Sequence, residues 1–202
     1  MRMRKKKWVD PFIEENKEYI IDNFNELDTD LPIYLEIGMG MGDFITQSAK
    51  YNPNIFYLGL EKDVMCIGRT IKKIIDLDLK NIKLMFINAD KINEIFPNKC
   101  IDVIYLHFSD PWPKKGHHKR RLTYNSFLKV YKDKLKDDGR IIFKTDNDEF
   151  FNDSLEYFKE EGYELIIIDR DFRKEPKEIP MTGYELKFSS NGKNINYAEF
   201  KK

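Results

Sequence analysis

The residues best suited to chemistry lie between Leu106 and Arg121, where the chain reads LHFSDPWPKKGHHKRR. An apolar run, Ile101–Leu106, leads into Asp110, which stands directly before Pro-Trp-Pro, and a dense group of lysines and arginines follows. A carboxylate just beyond a buried strand is well placed to bind a ligand or take part in catalysis. Clustered cations bind phosphates. Together these two features predict a reaction carried out on a nucleic acid.

A second candidate site is the glycine-rich stretch LEIGMGMGDF, which begins at Leu35. Strand, glycine loop and helix in this order bind nucleotide-like ligands in α/β folds. A dinucleotide fingerprint needs its third glycine at position 43, but Asp43 stands there and the glycine is Gly42. Asp43 and Glu36 would repel a pyrophosphate and attract a cation. The loop therefore favours S-adenosylmethionine, which carries a sulfonium and an ammonium group, over NAD.

Two further acidic residues follow the next strands. Glu61 lies 23 positions after Gly38, close to the spacing of the ribose-binding acid in this fold, where a carboxylate can accept both ribose hydroxyls. Asn88 and Asp90 follow the third strand, and either is a candidate for contact with the adenine amino group. Each feature alone also fits a tight turn or a helix cap. Their order, each after a strand, favours a cofactor site.

Short apolar runs alternate with longer amphipathic stretches, which predicts right-handed βαβ units and a mostly parallel sheet covered by helices on both faces. Near-continuous hydrophobicity predicts strands that are buried on both sides. The predicted strands are Ile33–Ile37, Ile55–Leu60, Ile82–Ile87, Ile101–Leu106, Arg140–Lys144 and Glu164–Ile168. The predicted helices are Asp43–Lys50, Val64–Leu77, Lys91–Phe96, Thr123–Leu135 and Asp148–Glu161.

The two ends of the chain differ from this pattern. Pro11–Leu27 is predicted to form a leading helix that caps the sheet. Near the C-terminus, Tyr184–Phe188 and Asn194–Phe200 flank an Asn-Gly pair, which predicts an antiparallel hairpin. No repeat or linker interrupts the chain, so residues 1–202 are expected to form a single domain with a basic N-terminal arm at 1–10.

Composition excludes several classes of protein. Basic and acidic residues balance at 35 each, so the chain is not uniformly cationic and its charge lies in local clusters. Cys66 and Cys100 stand alone, which indicates neither a disulfide framework nor a zinc site and agrees with a reducing, cytoplasmic location. No metal is expected, and no apolar run is long enough to cross a membrane.

Three other functions are compatible with parts of the pattern. A small-molecule methyltransferase would not need the basic tract, and an NAD-dependent oxidoreductase is disfavoured by Asp43. A non-catalytic RNA-binding module would not need acidic residues around the glycine loop. Binding of S-adenosylmethionine or NAD separates these alternatives.

The motifs together resemble a known family. Glu36-Ile-Gly-x-Gly-x-Gly, Glu61-Lys-Asp, Ser109-Asp-Pro-Trp-Pro-Lys-Lys, His118-Lys-Arg-Arg-Leu and Thr182-Gly-Tyr-Glu are similar to the bacterial tRNA (guanine-N7-)-methyltransferases. The resemblance covers nearly the whole chain, and its Ser-Asp-Pro-Trp-Pro-Lys string is highly specific. It implies a Rossmann-like, seven-stranded, S-adenosylmethionine-dependent fold and methylation of guanine 46 in the tRNA variable loop. Whether such a protein is a monomer or a homodimer is left open.

The resemblance also implies roles for individual residues. Asp110 is expected to be catalytic and also to bind the cofactor. The other cofactor-binding positions are Glu36, Gly38, Gly40, Gly42, Glu61 and Asp90. The substrate-binding positions are Lys114, Asp146, Thr182, Gly183, Tyr184 and Glu185. The RNA-binding positions are Gly116, His117, His118, Lys119, Arg120 and Arg121.

Two positions depart from the family pattern. His107 stands where an asparagine or an apolar residue is expected, and Gly116 stands where a basic residue is usual. The second departure predicts that one phosphate contact is weakened.

Overall fold

The computed structural model describes residues 6–174, 179–185 and 193–202. In these ranges seven strands form one sheet in the order β3-β2-β1-β4-β5-β7-β6. The strands are β1 (Ile33–Ile37), β2 (Phe56–Glu61), β3 (Ile82–Phe86), β4 (Ile101–His107), β5 (Leu135–Thr145), β6 (Glu164–Asp169) and β7 (Asn196–Lys201). The helices are α1 (Val9–Glu15), α2 (Asp43–Tyr51), α3 (Val64–Asp76), α4 (Ile92–Ile95), α5 (Asn125–Lys134) and α6 (Asp148–Glu160).

The described chain divides into two compact units. The first ends at Phe96 and also takes in Ile179–Gly183, while the second begins at Pro97 and includes Tyr184–Lys202. The expectation of a single domain stays a prediction. None of the helices within the described ranges is long and apolar enough to cross a membrane.

In the first unit, β2 pairs in parallel with both β1 and β3. All the side chains of β2 are buried except that of Glu61 at its end, as expected for a strand covered on both faces. The helix α3 begins where the Asp63 carboxylate accepts a hydrogen bond of 2.8 Å from the Met65 amide. A side chain at Gly68 would meet Val9 at 2.5 Å, so α1 packs closely on α3. Strand ends and helix starts therefore follow one another as βαβ geometry requires.

In the second unit, β4 and β5 are parallel, and β7 runs antiparallel to both β5 and β6. The fully buried rings of Phe158 and Phe200 stack at 3.7 Å and hold α6 on β7. At the start of α6 the Asn147 side chain accepts a hydrogen bond from the Phe150 amide. This cap fixes the turn that carries Asp146.

The mixed sheet confirms the predicted fold class, with several corrections to its elements. The leading helix ends at Glu15 and is followed by separate 3-10 turns at Lys17–Tyr19 and Phe24–Glu26. The C-terminal antiparallel pair consists of β6 and β7. Tyr184 and Glu185 do not lie in a strand, and the rest of the predicted hairpin partner falls outside the described residues.

Two further expectations concern exposure. The prediction of strands buried on both faces is wrong for β6, because Leu165, Ile166, Ile167 and Ile168 are each 43–45% exposed. This strand lies at one edge of the sheet; β3, at the other edge, is mostly buried. Of the basic N-terminal arm, residues 1–5 fall outside the described ranges, and Lys6 and Lys7 are exposed.

Candidate active site

The glycine loop connects β1 to α2 through backbone that favours glycine. Gly38, Gly40 and Gly42 have φ of 75°, 56° and 70°, in the left-handed region. At Gly40 a Cβ atom would meet nothing within 4 Å, so a ligand can approach the backbone there. At Gly42 a Cβ atom would lie 2.5 Å from Thr70 on α3, so this glycine is required for close packing.

Glu61 closes the loop from the end of β2. Its Oε2 accepts a hydrogen bond of 3.0 Å from the Gly40 amide, and its Oε1 accepts from the amides of Lys62 at 2.8 Å and Asp63 at 3.0 Å. A carboxylate offers about four acceptor positions, so three are in use. One position is left for a hydroxyl, and accepting both ribose hydroxyls requires the Gly40 contact to break.

The other acids of the first unit have different surroundings. Glu36, near the end of β1, is only 2% exposed. Asp90 is exposed in a 3-10 turn, and its carboxylate accepts a hydrogen bond of 3.2 Å from the side-chain Nδ2 of Asn88. Asp43 forms an ion pair with Lys73, which also donates to the Met41 carbonyl. The charge of Asp43 is therefore largely neutralised within the protein. The preference for a cationic ligand then depends on Glu36 and Glu61.

Asp110 lies in an exposed loop that follows β4. Two residues beside it, Phe108 and Trp112, have φ of 50° and 39°, a conformation that bulky side chains rarely adopt. Such backbone costs about 1–3 kcal/mol at each residue and persists only where its surroundings impose it. The Asp110 loop is thus held in a strained shape by its neighbours.

The principal neighbour is Arg121, whose side chain is 1% exposed. Its Nε donates to the Pro111 carbonyl at 2.7 Å, and its Nη2 donates to the Trp112 carbonyl at 3.4 Å. On the other side its Nη1 pairs with the Asp153 carboxylate at 2.6 Å. This geometry does not support the predicted contact between Arg121 and RNA, because the guanidinium is buried and bound within the protein.

The basic tract forms a 3-10 helix over Lys115–Arg120, in which residues three apart lie on the same face. His118 and Arg121 form the inward face, with His118 Nε2 2.9 Å from Arg121 Nη2. Arg120 and His117 form a second face and contact the Trp112 ring at 5.1 and 5.9 Å.

The third face carries Gly116 and Lys119, and both are exposed. A Cβ atom at Gly116 would meet nothing within 4 Å. Lys114, just before the turn, and Lys115 are also exposed. The exposed cations available to a phosphate backbone are thus fewer than the sequence suggested, and Gly116 leaves open the position where another would fit.

Asp146 follows β5 in the second unit. Asn147 caps α6, and the Thr145 hydroxyl accepts a hydrogen bond from the Asn147 amide at 3.2 Å, so Asp146 is not needed for capping. Its carboxylate lies 3.2 Å from the Lys193 ammonium and keeps partial exposure. The substrate-binding role of Asp146 stays a prediction, and its carboxylate is not needed to cap α6.

The segment Thr182–Glu185 contains residues with opposite exposure. Tyr184 is 56% exposed and stacks on Phe108, with ring centres 6.3 Å apart. Glu185 is fully buried, 2.6 Å from Arg173 Nε and 3.3 Å from Lys144 Nζ. Direct substrate binding by Glu185 is not supported by this geometry. It anchors the backbone next to Tyr184.

The remaining two members of this segment belong to the first unit. Thr182 is buried, and Gly183 is exposed with its backbone close to Asp43, since a Cβ atom would lie 2.7 Å from the carboxylate. A side chain at position 183 would therefore require the Asp43 carboxylate to shift.

His107 and the cysteines do not supply reactive groups. Burial, together with the charges of Lys144 and Arg173, lowers the pKa of His107 well below its ordinary value, so its ring is neutral. Burial raises the pKa of Cys66 to about 12 and that of Cys100 to about 11, so neither is a thiolate at neutral pH. In the described part of the chain, no group of three acidic, histidine or cysteine residues is placed to hold a metal ion.

The sequence did not identify the residues that hold Arg121 and Glu185 in place. Asp153 and Tyr157 on α6 contact Arg121 at 2.6 and 3.5 Å, and Lys144 and Arg173 hold Glu185. The spacing of Asp153 and Tyr157 by one helical turn is a weak sign of a shared partner. Nothing in the sequence identified that partner as Arg121.

Comparison with known proteins gives close relatives along the whole chain. A family model described as "Putative methyltransferase" matches residues 30–198. The chain is 42% identical over 210 residues to a tRNA (guanine-N(7)-)-methyltransferase of Macrococcus caseolyticus, covering 98% of this chain and 99% of the relative. It is 42% identical over 208 residues to the protein of the same description from Bacillus subtilis, covering 98% of each.

Solved structures with low identity share the fold. A 16S rRNA methyltransferase, KamB, superimposes with a TM-score of 0.62 at 12% identity, covering 98% of this chain and 95% of that chain. A SAM-dependent methyltransferase from Aquifex aeolicus gives a TM-score of 0.58 at 14% identity, covering 96% and 89%. These likenesses confirm the methyltransferase fold and no more.

The packing of the glycine loop leads to a stability prediction. Gly42→Ala should lower the free energy of unfolding by about 3 kcal/mol, because it combines left-handed strain with a clash against Thr70. Gly40→Ala should cost only about 1 kcal/mol, because it carries the strain without the clash. Urea unfolding of both variants measures the difference.

The control removes the clashing atoms. In a Thr70→Ala background, Gly42→Ala should cost about as much as Gly40→Ala, roughly 1 kcal/mol. Equal losses for the two glycine variants in the wild-type background would contradict the close packing of Gly42 on α3.

Proposed function

Because the chain belongs to the tRNA (guanine-N(7)-)-methyltransferase family, we propose that it transfers the methyl group of S-adenosylmethionine to N7 of guanine 46 in the variable loop of tRNA. The observation that carries the proposal is 42% identity to such enzymes over 98% of the chain. Asp110 in its Pro-Trp-Pro loop and the acidic glycine loop support it. Because its substrate is tRNA, we place the protein in the cytoplasm. We also propose that it is a single domain that works as a monomer or a homodimer.

The first unit supplies donors and acceptors that fit S-adenosylmethionine. Gly40 leaves its backbone open to a ligand, and Glu61 keeps one acceptor position beside it. Glu36 places a buried carboxylate at the end of β1, which favours a cation over a phosphate. Gly38, Gly42 and Asp90 complete the proposed cofactor site. When bound, the cofactor supplies a methyl group on an electron-poor sulfonium.

The chemistry of guanine N7, the atom that accepts the methyl group, determines what the protein must contribute. Guanine N7 has an in-plane lone pair and carries no proton at neutral pH, so the reaction needs no general base. The protein has to orient the base in line with the methyl group and to stabilise positive charge as it moves onto the purine. Asp110 is assigned this task, because its carboxylate can accept hydrogen bonds from the N1 and N2 edge of guanine. It is also assigned to the cofactor site.

Other residues of the second unit are assigned to the substrate. Asp146 keeps a partly exposed carboxylate that is not needed to cap α6. Lys114 is exposed next to the Asp110 loop, and Tyr184 presents an exposed ring suited to stacking. Thr182 and Gly183 complete the segment, while Glu185 acts through the backbone that it anchors.

The basic 3-10 turn is assigned to the RNA backbone. Lys115 and Lys119 are exposed, and Arg120 lies over the Trp112 ring with its guanidinium partly exposed to solvent. Such contacts provide affinity that falls with salt and read no sequence. Selection of one guanine then depends on the shape of the tRNA.

The activity is tested by incubating the protein with unmodified tRNA and methyl-labelled S-adenosylmethionine, followed by chemical cleavage at N7-methylguanine. A single cleavage at position 46 is the expected result. Label at another base or atom, or no label, would contradict the proposal.

Replacing the catalytic carboxylate should separate chemistry from binding. Asp110→Ala should lower kcat by about 100-fold or more, because it removes the charge that stabilises the methylated purine. Binding of tRNA should remain within a few-fold, since an exposed acid does not hold phosphates. Single-turnover methylation and filter binding measure the two effects, and Asp110→Asn serves as the uncharged control of similar size. Full activity of Asp110→Ala would remove Asp110 from the mechanism.

Removing one exposed cation should change the salt dependence of tRNA binding. Lys119→Ala should reduce the slope of log K against log salt by about one, the value of one phosphate contact. Filter binding across a series of salt concentrations measures the slope. An unchanged slope would exclude Lys119 from the interface.

Adding a cation at the neighbouring position should have the opposite effect. Gly116→Lys should increase the salt slope by about one, because Gly116 shares its face with Lys119 and has open space at Cβ. Gly116→Gln is the matched uncharged control. If Gly116→Lys binds tRNA with the wild-type slope, this face of the turn does not meet the RNA.

A further inference from the structure

Arg121 is surrounded by protein groups on every side of its guanidinium. Nε and Nη2 donate to the carbonyls of Pro111 and Trp112, and Nη1 pairs with Asp153. With 1% of its side chain exposed, this cation is not available to an RNA phosphate. Its contacts point instead to the loop that carries Asp110.

The loop needs such a support. Trp112 has a left-handed φ of 39° although it is a bulky residue, and it precedes Pro113, which restricts it further. The two carbonyls that receive hydrogen bonds from Arg121 are those of the residues directly after Asp110. A planar guanidinium carries five N–H donors in a fixed fork, so it can bind both carbonyls on one side and a carboxylate on the other. The three donors of an ammonium group radiate from a single nitrogen and do not reproduce this geometry.

His118 completes the arrangement through both nitrogens of its ring. An arginine nitrogen can only donate, so the contact of 2.9 Å between Arg121 Nη2 and His118 Nε2 directs an arginine hydrogen toward the ring. The other ring nitrogen, Nδ1, lies 3.1 Å from the Tyr157 hydroxyl. Asp153 and Tyr157 both lie on α6, so the guanidinium connects this helix to the Asp110 loop.

We propose that Arg121, held by Asp153 and His118, is a positioning residue that fixes the Pro111–Trp112 backbone and thereby the orientation of Asp110. The inference rests on the proposed methylation of tRNA. It divides the basic tract by its faces, with the inward face setting the geometry of the catalytic loop and the exposed face contacting RNA.

The decisive variant is Arg121→Lys, which keeps the positive charge and loses the planar fork. Single-turnover methylation should show kcat lowered by about 100-fold, as expected when a reacting group is displaced by about 1 Å. Wild-type kcat in Arg121→Lys would overturn the proposal. Arg121→Gln, which removes the charge, should leave the salt slope of tRNA binding at the wild-type value, because no phosphate contact is lost. A salt slope reduced by about one in Arg121→Gln would also overturn the proposal, because it would show that Arg121 meets a phosphate.

A second variant tests the same arrangement from the acidic side. Asp153→Ala removes the partner of Arg121 and cannot remove a phosphate contact. If Arg121 positions the loop, kcat should fall by about 10-fold or more. If instead Arg121 binds phosphate, loss of the acid should leave kcat unchanged or tighten tRNA binding, which would overturn the proposal. Far-ultraviolet circular dichroism and thermal unfolding establish that the variants are folded.

A third measurement does not depend on activity. The chain has two tryptophans, so Trp8→Phe leaves Trp112 as the single fluorescent indole. In this background Arg121→Lys should increase acrylamide quenching of Trp112 and shift its emission to the red, whereas Lys119→Ala should leave both unchanged. Unchanged quenching in Arg121→Lys would overturn the proposal even in an active enzyme. Absence of methylation by the wild-type protein would instead contradict the proposed function, and the fluorescence result would still decide the role of Arg121.

Discussion

A buried guanidinium is the interaction on which the catalytic part of this molecule depends. Arg121 neutralises its charge with Asp153 and uses its remaining donors on the carbonyls of Pro111 and Trp112. Removing a charged group from water is costly unless it is paired and hydrogen-bonded. The same hydrogen bonds offset the strain of the Trp112 backbone. The contacts that compensate for burying the Arg121 guanidinium are therefore also the contacts that hold the Asp110 loop in its shape.

The geometry of the glycine loop, the proposed cofactor site, is set by its backbone conformation more than by side chains. Glycine at positions 38, 40 and 42 allows three left-handed residues in one loop. Glu61 then binds the Gly40 amide and the two amides that follow β2. The acid expected to hold the ribose is therefore also the residue that keeps the loop closed, which relates ligand binding to loop conformation.

Much of the fold could be predicted because it depends on local patterns. The bounds of β1 agree with the apolar run Ile33–Ile37, and α6 begins at Asp148, as predicted. The roles of Arg121 and Glu185 could not be predicted, since a charged residue is normally exposed and burial depends on partners distant in sequence. Likewise the exposure of β6 depends on which parts of the chain cover it, which hydrophobicity does not encode.

The three-residue period of the 3-10 helix determines which side chains of the basic tract share a face. A run of cations in sequence suggests one continuous phosphate-binding surface, but residues three apart share a face. Arg121, joined by His118, binds the two carbonyls that follow Asp110, while Arg120 and His117 contact the Trp112 ring. Lys119 and Gly116 lie on the remaining face, and Arg120 and Lys119 are both exposed. In the proposed function, an RNA backbone on the exposed side of this helix would lie next to the residues that hold the Asp110 loop. Recognition of the tRNA and orientation of Asp110 would then depend on one short segment, residues 115–121.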